Sequence, residues 1–116
     1  MTIQNAGFSA PLPRMQWLLE LLHKKEVIGV HLSTGHPVQL WDAGGVVIVE
    51  MRALSVNDTV EMVHSITPDR SRKELMRDGR TCFEYELAED LWIDVSISGV
   101  LGDFVITARD GSGVEL

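Results

Sequence analysis

A histidine pair, a glycine pair and a single cysteine are the residues of this 116-residue chain whose types first suggest chemistry. His31 and His36 lie five positions apart in the stretch VHLSTGHPVQLWDAGG, and paired histidines are common zinc ligands. A strand end and a loop separate the two rings, and no nearby cysteine or carboxylate completes a coordination shell. The spacing therefore favours structural or surface roles, and we expect no metal.

The glycine pair and the cysteine also lack the context that catalysis requires. Gly44 and Gly45 join two strands, whereas a phosphate loop needs several glycines between a strand and a helix, usually with a lysine. No GxxxxGK[ST] motif occurs in the chain. Cys82 begins a strand with no local base to activate its thiol. We therefore expect no catalytic residue, no nucleotide site and no cofactor.

Composition narrows the class of partner. The net charge is −7, with ten basic against seventeen acidic residues, which argues against nucleic acid or an anionic membrane. A protein partner remains compatible with this charge. A lone cysteine, with no signal sequence and no apolar run of about 18 residues, predicts a cytoplasmic protein without membrane insertion. One acidic cluster surrounds a predicted hairpin and is best explained as solvent-facing charge: Glu84, Glu86, Glu89 and Asp90.

Periodicity in the first half predicts one helix and a three-stranded meander. The helix begins near Pro13, and its apolar face repeats at helical spacing: Met15, Leu18, Leu19 and Leu22. β-rich runs predict strands at 27–33, 37–42 and 46–51, with a tight turn at 43–45. We interpret residues 1–12 as a flexible leader.

The second half predicts two helices and three strands. The spacing of Ser55 and Asp58 predicts a capping box for a helix whose apolar stripe would be Val56, Val60 and Val63. A second helix should take Thr67 as its N-cap, start at Pro68 and end at Gly79. Strands follow at 82–87, 91–97 and 104–108, before a flexible tail at 110–116.

The order αβββ–αα–βββ, with short turns between neighbouring strands, predicts one α+β domain over residues 13–109. Its sheet should be largely antiparallel, with about six strands and the helices packed on one face. The inward phases predict this core: Leu18, Leu22, Val30, Leu32, Val47, Val60, Phe83, Ile93, Val95 and Ile106.

Two tryptophans fall on outward phases of their strands. Trp92 shares its side with Asp94 and Ser96, and Trp41 shares its side with Gln39. Exposed aromatic residues are enriched where proteins meet proteins. We therefore predict a protein-interaction surface that includes Trp41, Trp92 and Asp94, used for a partner or for self-association into a homo-oligomer.

Over residues 14–109 the sequence resembles the N-terminal domain of the PilT family of type IV pilus retraction and type II secretion ATPases. The matching signature is His31-Leu32-Ser33, then Gly35 and Pro37, Gly44, and Leu54-Ser55 opening a helix. The resemblance implies a PAS-like α+β domain that precedes a RecA-like ATPase domain in the family. It also implies strands whose arginines face a neighbouring subunit's nucleotide.

The sequence departs from the family pattern at the positions that would meet nucleotide. Gly29 stands where the family has aspartate, and Val38 where it has a second proline. Trp41, Trp92 and Asp94 each stand where it has arginine. No ATPase domain is present, so the chain is a stand-alone relative or an excised domain. The resemblance thus implies a non-catalytic interaction domain of the pilus and twitching-motility machinery that modulates an ATPase. A small acidic secretion chaperone and a PAS-like ligand sensor are the alternatives.

Overall fold

Six strands form one antiparallel sheet in the order β3-β2-β1-β6-β5-β4 in the computed structural model, which describes residues 12–49 and 51–110. In chain order the elements are α1 (Met15–His23), β1 (Gly29–Ser33), β2 (Gln39–Asp42), β3 (Gly45–Ile48), α2 (Val56–His64), α3 (Asp69–Asp78), β4 (Arg80–Ala88), β5 (Leu91–Val100) and β6 (Asp103–Asp110). The predicted α+β class and the order αβββ–αα–βββ are confirmed. The predicted leader over 1–12 and the predicted tail over 110–116 lie outside the described residues, except for Leu12 and Asp110.

The central pairing of β1 with β6 joins the two halves of the chain. Leu32 lies opposite Phe104, and Val30 opposite Ile106, so residues more than 70 positions apart share one sheet. The inward side chains of these strands are buried beneath the helices. Helix α1 contacts β4 and β6, and α3 contacts β4 and β5.

The core agrees with most of the inward phases predicted from sequence. Seven of the ten predicted positions are buried: Leu18, Leu22, Val30, Leu32, Ile93, Val95 and Ile106. The other three, Val47, Val60 and Phe83, are only half-buried. Val47 lies on the edge strand β3, where one neighbouring strand is missing.

The predicted apolar stripe of α2 is confirmed at Val63, which is fully buried, and is wrong at Val56; Val60 is half-buried. Val56 is 42% exposed, and the buried positions of this helix are Asp58, Thr59, Met62 and Val63. Thr59 can be buried because its hydroxyl donates to the carbonyl of Val56 at 2.7 Å, which satisfies the polar group within the helix.

Thr67 does not cap α3 as predicted. Its hydroxyl donates backwards to the carbonyl of Val63 at 2.5 Å, and α3 begins at Asp69 with Pro68 in the N-cap position. The junction between α2 and α3 is stabilised by Arg72, whose guanidinium donates hydrogen bonds to the carbonyls of Thr67 and His64. The predicted end of α3 at Gly79 is confirmed, since that residue is left-handed with φ 78°.

The predicted capping box of α2 is confirmed and is extended by an arginine. Ser55 Oγ accepts from the Asp58 amide at 3.1 Å, and Asp58 Oδ2 accepts from the Ser55 amide at 2.8 Å. Arg52 donates to the same carboxylate at 2.6 Å. Hydrogen bonding to Arg52, and then to the Ser55 backbone, holds the pKa of Asp58 well below its usual range.

Asp58→Ala should lower the free energy of unfolding by about 1–2 kcal/mol near neutral pH, because helix caps contribute in that range. A carboxyl whose pKa is lower in the folded state stabilises the fold above its unfolded pKa, about 4, and loses that effect as the pH falls further. The gap between wild type and Asp58→Ala should therefore shrink between pH 6 and pH 3. Urea unfolding at both pH values measures it, and an unchanged gap would contradict the assignment.

None of the helices in the described ranges, each nine or ten residues long, has the length and apolar character needed to cross a bilayer.

Candidate functional site

The face of the sheet opposite the helices is the candidate site. Side chains alternate between the two faces of a strand, so the outward positions of all six strands share this face. Within residues 12–49 and 51–110, no helix packs on it. The predicted site residues Trp41, Trp92 and Asp94 all lie on it, as the register of the sheet shows.

Trp41 lies at the centre of an apolar patch near one edge of this face. Its strand neighbours are Gly29 on β1 and Val46 on β3. Val46 is 66% exposed and Ile48 is 50% exposed. We call Trp41, Val46 and Ile48 the Trp41 patch. Sequence reasoning missed the two β3 residues because the run VVIV is apolar on both faces, and a continuous apolar run on an edge strand is the signal that could have found them.

The Trp41 indole packs directly against the backbone of Gly29, and we call this contact the seat of the indole. A Cβ built on Gly29 would lie 2.0 Å from Cζ2 of Trp41, so only glycine allows the ring to lie across β1. Two departures from the family pattern, at Gly29 and at Trp41, are therefore cross-strand partners. The glycine makes room for the indole.

A double-mutant cycle tests this seat. Gly29→Ala should destabilise the wild type by about 1–3 kcal/mol, because the new methyl group overpacks against the ring. In a Trp41→Ser background the same change should be neutral or slightly stabilising, since alanine restricts the unfolded chain more than glycine does. Urea unfolding of the four proteins gives the coupling. An equal cost of Gly29→Ala in both backgrounds would show that the indole does not occupy the seat.

Trp92 and Asp94 lie at the other side of the same face, near the β4–β5 turn. Trp92 is 47% exposed and faces Glu86 on β4. Asp94 lies between Glu84 and Arg109, and Arg109 Nε is 3.6 Å from its carboxylate. Asp94 is therefore engaged by a cation that sequence reasoning did not pair with it.

The structure does not bring the two tryptophans together. Strands β1 and β6 lie between β2, which carries Trp41, and β5, which carries Trp92. Three strand spacings of about 4.8 Å therefore separate the two tryptophans by about 14 Å in the direction perpendicular to the strands. The face therefore carries two separate aromatic anchors, with polar residues between them.

His31 and His36, which were predicted to have structural or surface roles, lie in different environments. His31 Nε2 lies 2.6 Å from Oδ1 of Asp103 in a pair across β1 and β6. His36 is exposed, and its backbone closes the turn between β1 and β2, with its amide bonded to Ser33 and its carbonyl to Leu54. Within the described ranges no group of three or more histidine, cysteine or acidic side chains could hold a metal ion.

The backbone amides of the Gly44–Gly45 turn are bound by the carboxylate of Asp42, the last residue of β2. Oδ1 of Asp42 accepts from the amides of Gly44 at 2.7 Å and Gly45 at 3.1 Å. A phosphate would need those same amides, so the local geometry supports a turn. Cys82 is exposed, and its Sγ lies 3.2 Å from Oγ of Ser96, a contact that offers no base to the thiol.

The fold matches part of two solved ATPases. The pilus retraction motor PilT, in its structure with bound ADP, matches with a TM-score of 0.62 and 15% identity over 84% of this chain. The Legionella pneumophila ATPase DotB matches with a TM-score of 0.59 and 17% identity over 94% of the chain. This chain has the fold of a segment of PilT and DotB. The match agrees with the sequence resemblance to the N-terminal domain of the PilT family.

The chain spans 29% of the length of PilT and 31% of the length of DotB. At this identity the two matches establish the fold alone. No protein-family model and no curated protein matches the chain.

Proposed function

We propose that this chain is a non-catalytic protein-interaction domain of the type IV pilus and type II secretion machinery, where it modulates an ATPase. The observation that carries the proposal is the uncovered sheet face with its two aromatic anchors, on a chain with the fold of a segment of PilT and DotB. In this proposal the domain acts in the cytoplasm in support of twitching motility.

The chemistry of the face supports a protein contact. Tryptophan is enriched among the residues that dominate binding energy at interfaces. Such residues are typically surrounded by contacts that add little binding energy themselves but keep water out. The Trp41 patch combines two exposed aliphatic side chains, Val46 and Ile48, with the half-buried indole of Trp41. Trp92 exposes nearly half of its surface. Around them, the pairs His31–Asp103 and Asp94–Arg109 form a polar surround.

The occupant we propose for the Trp41 patch is a subunit of an ATPase with the architecture of PilT or DotB. This chain corresponds to about three tenths of either protein, so it can dock where the corresponding segment of such an ATPase lies. Trp41, Trp92 and Asp94 stand where the resembled family has arginines. An indole removes attraction for phosphate and adds an apolar anchor, which favours a protein contact over a nucleotide contact.

The chain should not bind Mg-ATP. The sequence contains no Walker motif, the Gly44–Gly45 amides are engaged by Asp42, and the tryptophans carry no charge for phosphate. Isothermal titration calorimetry with Mg-ATP at submillimolar concentration should give no saturable heat, with an intact PilT-type ATPase as the positive control. A tight, saturable isotherm would overturn the proposal of a non-catalytic domain.

A further inference from the structure

A second apolar surface lies at one end of the sheet, on the side of the helices. It is a groove of about 430 Å³ between α2, α3 and the β5–β6 turn, with Leu75 and Phe104 among its lining residues. Met76, Val100 and Leu101 also line it, and they are 82%, 70% and 72% exposed. Three large apolar side chains this exposed at one place mark a binding surface.

The groove lies in the most basic part of an acidic chain. Residues 70–80 contain five cations and two carboxylates, while the whole chain has a net charge of −7. Arg72, Arg77 and His64 line the groove. Asp69 and Asp78 pair with the two arginines at 3.2 and 2.9 Å. Arg70, Lys73 and Arg80 belong to the same segment but not to the groove lining, and with Glu74 they leave the segment beside the groove net positive.

The net positive charge of this segment argues against two grooves packing on each other, because the two segments would then bring like charges together. It favours an apolar anchor flanked by carboxylates. The same chain carries such an anchor at the opposite end of β5. Trp92 is half-exposed beside the β4–β5 turn, where four carboxylates are also exposed: Glu84, Glu86, Glu89 and Asp90. Glu86 additionally accepts from the Asp90 amide at 3.3 Å, which fixes the turn.

The two surfaces cannot meet within one molecule. Trp92 lies near the start of β5 and Val100 at its end, eight residues or about 27 Å apart at 3.4 Å per residue. A contact between them therefore requires a second copy. Because the two surfaces differ, the contact is head-to-tail. It leaves a free hairpin on one copy and a free groove on the other, where further copies can add.

We propose that this chain assembles head-to-tail with itself, with Trp92 and the acidic β4–β5 turn of one copy seated in the basic apolar groove of the next. The proposal rests on the proposed function in one respect, that Trp92 is a contact residue. It assigns Trp92 to a second copy and leaves the Trp41 patch to the ATPase. Because the carboxylates beside Trp92 would meet the cations beside the groove, salt should screen their attraction and weaken the assembly.

Complementation between two variants tests this arrangement. Leu101→Asp places a charge in the groove, and Trp92→Ser removes the anchor; both positions are exposed, so the fold should persist. In sedimentation velocity, the mass of the wild type should rise with concentration beyond that of a dimer, and each variant alone should stay a monomer. An equimolar mixture should form a dimer and nothing larger, because only one intact groove and one intact hairpin can meet.

Ile28→Asp, an exposed change outside the groove, the β4–β5 turn and the Trp41 patch, is the matched control and should assemble like the wild type. A monomeric wild type at every concentration, assembly by either single variant, or a mixture that stays monomeric would each overturn the proposal. Binding of the ATPase through the Trp41 patch is measured separately. If that binding holds while self-assembly fails, only the head-to-tail inference is lost.

Discussion

Replacing Ile93 with alanine should lower the free energy of unfolding by about 2–5 kcal/mol, the usual range for large-to-small changes in a core. Ile93 is fully buried near the start of β5, and it lies opposite Tyr85 of β4 beneath the helices. The cost combines the lost transfer energy of the deleted carbons with the cavity left behind. Leu22→Ala, on the buried face of α1, should cost a similar amount.

Ile28→Ala is the matched control, because the same atoms are removed from an exposed side chain. Its cost should be below about 0.5 kcal/mol, as is typical of surface positions. Urea unfolding followed by far-ultraviolet circular dichroism measures all three variants. A cost for Ile93→Ala as small as that for Ile28→Ala would mean that the inward phase of β5 is wrong.

Trp41→Ser should weaken binding to the ATPase partner by about 2 kcal/mol or more, as expected for an indole at an interface hot spot. That loss corresponds to about a 30-fold increase in Kd. The free energy of unfolding should change less, by about 1 kcal/mol, because the half-buried ring lies on the sheet surface and loses mainly its packing on Gly29. Trp92→Ser should leave the melting temperature unchanged.

A thermal melt and a binding titration on the same samples separate the two possible roles of each tryptophan. Gln39→Ser is the matched control for Trp41→Ser, since Gln39 is a half-buried neighbour on the same face. A sharp fall in melting temperature with unchanged binding would show that Trp41 serves the fold and not an interface.

The strands of the second half were predictable because their patterns are simple. In β5 the apolar residues Ile93, Val95 and Ile97 alternate with Trp92, Asp94 and Ser96, and burial follows that alternation. The helix α2 and its capping box were also predictable, but its buried face was not fully so, because Thr59 is buried through a hydrogen bond to Val56 that no hydrophobic pattern records. Thr67 was assigned to the wrong helix for the same reason, since its hydroxyl bonds backwards.

The outward phases of Trp41 and Trp92 could be read from the sequence, but their surroundings could not. His31 meets Asp103 across 72 positions, and the groove joins Met76 to Leu101 across the β4–β5 hairpin. These contacts follow from the pairing of β1 with β6 and of β4 with β5, which local periodicity does not specify. The seat of Trp41 likewise depends on the register that places it opposite Gly29.

Site-specific photo-crosslinking in cells that naturally produce the chain tests the central claim most directly. A photoreactive residue at Gln39 lies beside the Trp41 patch, and one at Lys24 lies on an exposed position at the end of α1. We predict that position 39 captures a pilus or secretion ATPase subunit, identified by mass spectrometry, and that position 24 does not. No adduct at position 39, or the same adduct at equal yield from both positions, would contradict the claim that the uncovered sheet face binds the ATPase.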